Sequence, residues 1–146
     1  MDPAALVRHL LDTHHALLHR ELPRLDALIV GGDAEPALQE AWAELSDLLA
    51  FHLMKEERVL FPAILGLVGG GPSSPCGVEG PIAQMRWEHT RIEALDGTLR
   101  PLLGGAGAVA DQVRVILDDL VVHAHVEDDE LFPAALALEA ARSSGS

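Results

Sequence analysis

The sequence predicts an all-α protein, an antiparallel up-down-up-down four-helix bundle, on three observations. Apolar residues recur at helical spacing through four separate stretches, and no alternating period-two run of useful length occurs between them. Prolines and glycines punctuate the chain where four helices would start and stop. A twelve-residue pattern in the second stretch, His52 to Ala63 (HLMKEERVLFPA), returns in the fourth, His123 to Ala134 (HAHVEDDELFPA). At 146 residues the chain has room for one domain with a proper core. The bundle is expected over 1–142, with a disordered tail at 143–146.

Asp2 followed by Pro3 is a helix N-cap with proline at the first helical position. The first helix then runs to about Val30 on the apolar face of Leu6, Leu10, Leu17, Leu18, Leu22, Leu25, Leu28 and Ile29. Pro23 deletes a backbone donor inside it and predicts a kink, and Gly31 and Gly32 stop it. Pro36 opens the second helix, which carries the first repeat and ends near Gly66, with a bend at Pro62. Residues 66–80 are rich in Gly, Pro and Ser and form a loop. Pro81 opens the third helix, with Met85, His89, Ile92 and Glu93 on one face and an end at 101–105. The fourth begins near Ala108, carries the second repeat, and frays beyond Arg142.

Composition narrows the function. With 23 acidic against 10 basic residues the net charge is -13, which argues against nucleic acid or an anionic membrane as partner. The single cysteine, Cys76, rules out an internal disulfide, a CxxC zinc site and a cysteine-ligated cluster, and fits a reducing compartment. The opening MDPAALVRHLLDTHH has neither a signal core nor a spanning segment, so a cytoplasmic protein, favoured as a monomer, is expected. There is no tyrosine to serve as radical or ligand.

Each repeat reads H-x3-E, acid, x2, L-F-P-A, and the match extends upstream to Asp47 and Asp118, Leu49 and Leu120. On a helix, residues i and i+4 stand one above the other, so His52 lies over Glu56 and His123 over Glu127. Leu45, Leu48, Leu49, Val59, Leu60 and Ala63 place the first pair on an apolar stripe; Ile116, Leu120, Leu131 and Ala134 do so for the second. A lone H-x3-E would be read as a surface ion pair worth about 0.2–0.5 kcal/mol. Two buried carboxylates need compensation, and a shared metal ion in the bundle core supplies it.

The other histidines divide by position. His89 lies on the buried stripe of the third helix and becomes a ligand candidate beside the two pairs. His14, His15 and His19 are all candidates on the first helix, and periodicity does not choose among them. His9 and His125 point to solvent. Four histidines with two or more carboxylates make a harder, more oxygen-rich site than structural zinc prefers, so iron or manganese stands ahead of zinc. Neither paired E-x-x-H motifs nor HExxH occur, which removes ferritin-like storage and zinc proteolysis.

The segments HLMKEERVLFP and HAHVEDDELFP, with CGVEGPIAQMRWEH between them and HHALLHRELPRL before them, resemble the hemerythrin-like (HHE cation-binding) family. The likeness is closest to the di-iron domain of repair-of-iron-centres proteins and covers nearly the whole chain. It implies two iron ions bridged by carboxylates and an oxo or hydroxo group, meeting dioxygen, nitric oxide or peroxide. By the resemblance His52 and His123 are terminal ligands, Glu56 and Glu127 bridges, and His89 the ligand of the third helix. The run to the Leu-Pro of HRELPRL selects His15 over His14.

Three departures mark the chain. Repair-type proteins usually carry a further histidine between the first two helices, and none lies here between His19 and His52. Oxygen-carrying hemerythrins place a second histidine one turn after the first on the third helix, where this chain has Glu93. Their fourth-helix carboxylate stands five residues after the histidine, here Asp128; Glu127 is preferred because i+4 lies about 40° around the helix and i+5 about 140°. The remaining ligand is open to Glu93, His19, Asp33, Glu35 or solvent. Glu93 is expected as an added ligand or as an acceptor to a bound water. The function expected is binding or turnover of small oxidants in stress response or iron-centre repair. The alternatives are a reversible oxygen or redox sensor or carrier, and a structural single-metal bundle.

Overall fold

The computed structural model describes residues 2–70, 77–105 and 107–144. Residues 71–76 of the glycine-proline loop, Cys76 among them, and residues 145–146 of the expected tail lie outside that range. The described residues form four long helices, three of them interrupted by a π-turn. The first comprises α1 (Pro3–His9), a π-turn over Leu10–His15, and α2 (Ala16–Ile29). Asp2 caps it, its Oδ1 accepting from Ala5 N at 2.8 Å. The second is α3 (Pro36–Lys55), a π-turn over Glu56–Leu60, and α4 (Phe61–Val68). The third, α5 (Glu79–Leu102), is unbroken. The fourth is α6 (Ala108–Val126), a π-turn over Glu127–Leu131, and α7 (Phe132–Ser144).

Each helix packs on its neighbours in chain order, α2 on α3, α3 on α5, α5 on α6, and α6 closes back onto α2. This is the four-helix bundle that the spacing predicts. Three boundaries differ from expectation: α4 passes Gly66 to Val68, where Gly70 turns the chain at φ 71°, α5 starts at Glu79, two residues before Pro81, and α7 continues to Ser144. α2 runs through Pro23 without a break in the helix. No helix of the described residues is long and apolar enough to cross a membrane.

The π-turns are absent from the sequence reading, and they decide what faces the core. In both repeats the turn ends directly before a Phe-Pro pair, and a proline cannot donate the next backbone hydrogen bond, so the regular ladder has to change there. A π-turn takes one more residue per turn than an α-turn, which brings consecutive side chains onto one side. Leu60 and Phe61 are buried together, as are Leu131 and Phe132, and as are His14 and His15. The same widening turns Val59, expected on the stripe, outward to 55% exposure. Leu28, also expected inside, is 46% exposed because it lies about 100° around the helix from Ile29, which takes the core position.

Two apolar clusters fill the bundle. One joins Leu18–Ile29, Ala41–Leu53, Ile92–Leu103 and Val113–Leu120, around a fully buried Trp42 whose indole N–H donates to Asp26 at 2.7 Å. The other joins Leu6–Leu10, Leu60–Leu67, Val78–Met85 and Leu131–Ala135. On every helix the chain passes from one cluster to the other through buried polar residues: His14 and His15, His52 and Glu56, Glu88 and His89, His123 and Glu127. The bundle is thus divided by a polar layer between two greasy ends.

Candidate metal centre

Two quartets of side chains meet in that layer. Ligand atoms of His15, Glu56, His123 and Glu127 all lie within 4.8 Å of one another, and so do those of His52, Glu56, His89 and Glu127. Both glutamates belong to both quartets and have no exposure. Glu56 Oε1 lies 3.1 Å from His15 Nε2 and 3.4 Å from the Nε2 atoms of His52 and His123. Glu127 Oε1 lies 2.9 Å from His89 Nε2 and 3.3 Å from His123 Nε2. Four imidazoles from four helices therefore turn Nε2 towards a central carboxylate pair.

The outer nitrogens are held as well. His15 Nδ1 is 2.8 Å from Glu57 Oε2, His52 Nδ1 is 2.9 Å from Glu88 Oε1, and His89 Nδ1 is 3.0 Å from Asp128 Oδ1. A carboxylate at Nδ1 fixes the tautomer and aims the Nε2 lone pair inward, which is how metal-binding histidines are oriented. Glu88 is itself held by Lys55 and by Gln84, at 2.8 Å from the latter. His19, largely exposed, reaches Glu57 at 2.6 Å.

Electrostatics follow from the crowding. Burial alone would lower the His52 imidazole, but Glu56, Glu127 and Glu88 hold it well above its usual value, and His123 is likewise raised to about 10 by Glu127 and Glu56. Burial would raise the Glu56 carboxyl, yet His52, Glu127, His123 and His15 hold it well below the usual range. Glu88 is held at about 2, against its burial, by His52, Lys55 and Gln84. Protons on imidazoles are thus what balances the buried carboxylates when nothing else does.

The donor set fits a metal ion. His52 Nε2, His123 Nε2, Glu56 Oε2 and Glu127 Oε2 are buried without a hydrogen-bond partner. Such atoms are costly to leave unmatched, by about 1–3 kcal/mol each. A cation held within a quartet would use these atoms, and nitrogen with carboxylate oxygen suits iron or manganese better than structural zinc.

The six histidines and glutamates named from the sequence all stand in the quartets, His15 rather than His14 among them. Glu93 does not: it is exposed and outside both quartets. His89 sits at the rim of the buried arc, so a residue one turn on falls past that rim into solvent. Asp33 and Glu35 are exposed, and His19 holds Glu57 instead of joining a quartet. His125 is a surface residue beside Asp129, as expected; His9 is half-buried, its ring edge against His14. Glu88 is a site residue not expected from the sequence, although its spacing from Met85 and Ile92 is as helical as that of His89. Glu57, the acid following the first H-x3-E, is another.

Comparison with known proteins agrees with this geometry. The chain is similar to the iron-sulfur cluster repair protein DnrN of Neisseria gonorrhoeae, 32% identical over 148 aligned residues that cover 90% of each chain. It is 27% identical to the iron-sulfur cluster repair protein YtfE of Cronobacter sakazakii over 154 residues, 93% of this chain and 67% of that protein. With YtfE of Dickeya chrysanthemi it shares 33% over 102 residues, 63% of this chain and 43% of that one. No solved structure matches. The hemerythrin HHE cation binding domain matches residues 6–135, the span that holds both repeats and every quartet residue, and the chain belongs to that family.

Proposed function

We propose that this chain is a non-haem di-iron protein that binds or reacts with dioxygen, nitric oxide or peroxide, and that it serves the repair of iron centres in the cytoplasm under nitrosative or oxidative stress. The observation that carries the reading is the sharing of Glu56 and Glu127 by two quartets. His15 and His123 would hold one iron, His52 and His89 the other, with both glutamates and an oxo or hydroxo group as bridges. Iron in such a site supplies electrons and an open position for a small ligand. Glu57, Glu88 and Asp128 keep the imidazoles aimed inward.

Access supports a small ligand. A void of about 10 Å³, room for about one water-sized guest, is lined by His52, His89, Ile92, Leu120, His123 and Ala124. Four of these, His89, Ile92, Leu120 and Ala124, also line an outer cavity of about 510 Å³ between α5 and α6. Ile92, Leu120 and Ala124 form an apolar boundary common to the two spaces. The repair role rests on the names of the relatives; the YtfE proteins are longer, and this chain spans about two thirds of one and less than half of another.

Metal analysis of the purified protein should find close to two irons per chain. Anaerobic reduction followed by nitric oxide or air should change the absorption spectrum. One tightly held zinc without iron, or no response to either gas, would overturn the reading.

A further inference from the structure

One buried imidazole has no task in the arrangement above. His14 is 6% exposed, its Nδ1 is 2.8 Å from Asp119 Oδ1, and its Nε2 is buried without a hydrogen-bond partner. Its ring stacks on His123, with centroids 5.4 Å apart and planes 17° from parallel. Consecutive residues of an α-helix diverge by about 100°, so a neighbour of His15 would ordinarily point away from the centre. The π-turn over Leu10–His15 buries both.

In the neutral ring, a hydrogen donated from Nδ1 to Asp119 leaves Nε2 as a bare lone pair. The same arrangement occurs at His15 with Glu57, His52 with Glu88 and His89 with Asp128. Among the described residues, the buried side-chain atoms lacking a partner are, besides His14 Nε2, Asp119 Oδ2 and Arg142 Nη1, all quartet atoms. His14 therefore has the outer support and burial of His15, His52 and His89, and the unmatched nitrogen of His52 and His123.

We propose that His14 is a further nitrogen ligand of the His15/His123 position. The proposal rests on the di-iron reading. Each quartet offers an ion two nitrogens and two shared carboxylates, which is short of the roughly six donors of an octahedral site. Glu93 is exposed, and the segment between the first two helices has no histidine to add. His14 Nε2 is not among the atoms within 4.8 Å of one another, so ligation draws this ring inward as the ion seats.

The test compares wild type with His14→Ala, His14→Gln and Asp119→Asn, using ferrous iron, competition by a chelator, and pulsed EPR of the mixed-valence protein to count coordinated nitrogens. One of the two irons should be held at least ten-fold less tightly in both His14 variants, with one fewer nitrogen coupling. Asp119→Asn should weaken the same iron, by about 10–100-fold, with the nitrogen count unchanged. Circular dichroism of each variant establishes that the bundle is intact, and if His14→Ala is unfolded, His14→Gln and Asp119→Asn decide. Wild-type affinity in a folded His14 variant, or weaker iron with no nitrogen lost, overturns the proposal and leaves the di-iron reading standing. A wild-type chain that binds no iron overturns both.

Discussion

The two repeats build the same inner site and are backed differently. Glu57, following Glu56, reaches the first helix at His15; Asp128, following Glu127, reaches the third at His89. To this point the halves correspond residue for residue. They part at the residue before each of those histidines. On the third helix it is Glu88, whose carboxylate holds His52; on the first it is His14, whose ring stacks on His123. Repetition in the second and fourth helices duplicates the His/Glu pairs, while the unrepeated first and third helices make the two quartets unequal. Carboxylate support raises the basicity of a ligating imidazole, so the half with Glu88 should be the firmer.

The largest effect should come from the shared residues, which cannot distinguish the halves. Glu56→Ala or Glu127→Ala removes a donor from both quartets and should lower iron from about two per chain to one or none, by metal analysis. Equal retention of both irons would dissolve the comparison. One-sided changes should cost one iron: His89→Ala should lose the partner of His52, and a double variant with His15→Ala should lose both. Identical spectra for His89→Ala and His15→Ala would mean that the halves are not distinct.

Glu88→Gln should weaken a single iron by about 10–100-fold in chelator competition and leave the other at wild-type affinity. Smaller still is the pH dependence of the apoprotein. His52 and His123 are raised above 6.5, so the folded chain holds protons that the unfolded chain has released. The stabilisation is full below pH 6.5 and is lost as pH rises through the folded values, about 10 for His123. Glu88 has the opposite sign: its contribution is present above its usual 4.5 and is lost as pH falls through about 2. Urea melts should therefore show stability falling on both the alkaline and the acid side, and Glu88→Gln should flatten the acid limb more than the alkaline one. A variant that changed only the alkaline limb would contradict the assignment.

The quartet residues were legible because each H-x3-E pair lies on an ordinary α-helix up to its glutamate, where i,i+4 geometry holds. Beyond Glu56 and Glu127 the same logic fails, and Val59 shows it: the π-turn shifts its phase, and only the Phe-Pro pair hints at the change. Glu93 lies outside the quartets for a different reason, the limited width of the buried arc on α5. The supports at Nδ1 come from neighbouring helices, as with Glu57 to His15 and Asp119 to His14. Periodicity along one helix says which side faces inward; it does not say which acid on the next helix stands opposite.

The polar layer also bears on how the chain comes apart. Two apolar clusters separated by ionisable groups need not unfold together, since the contacts joining them run through side chains whose charges must first be balanced. An ion at the centre ties all four helices at one level and couples the two ends into a single cooperative unit. Amide hydrogen exchange of the loaded protein should then report one opening free energy for both ends. After chelation the end formed by α1, α4 and α7 should exchange first, because it joins shorter helical segments that each enter the layer through a π-turn.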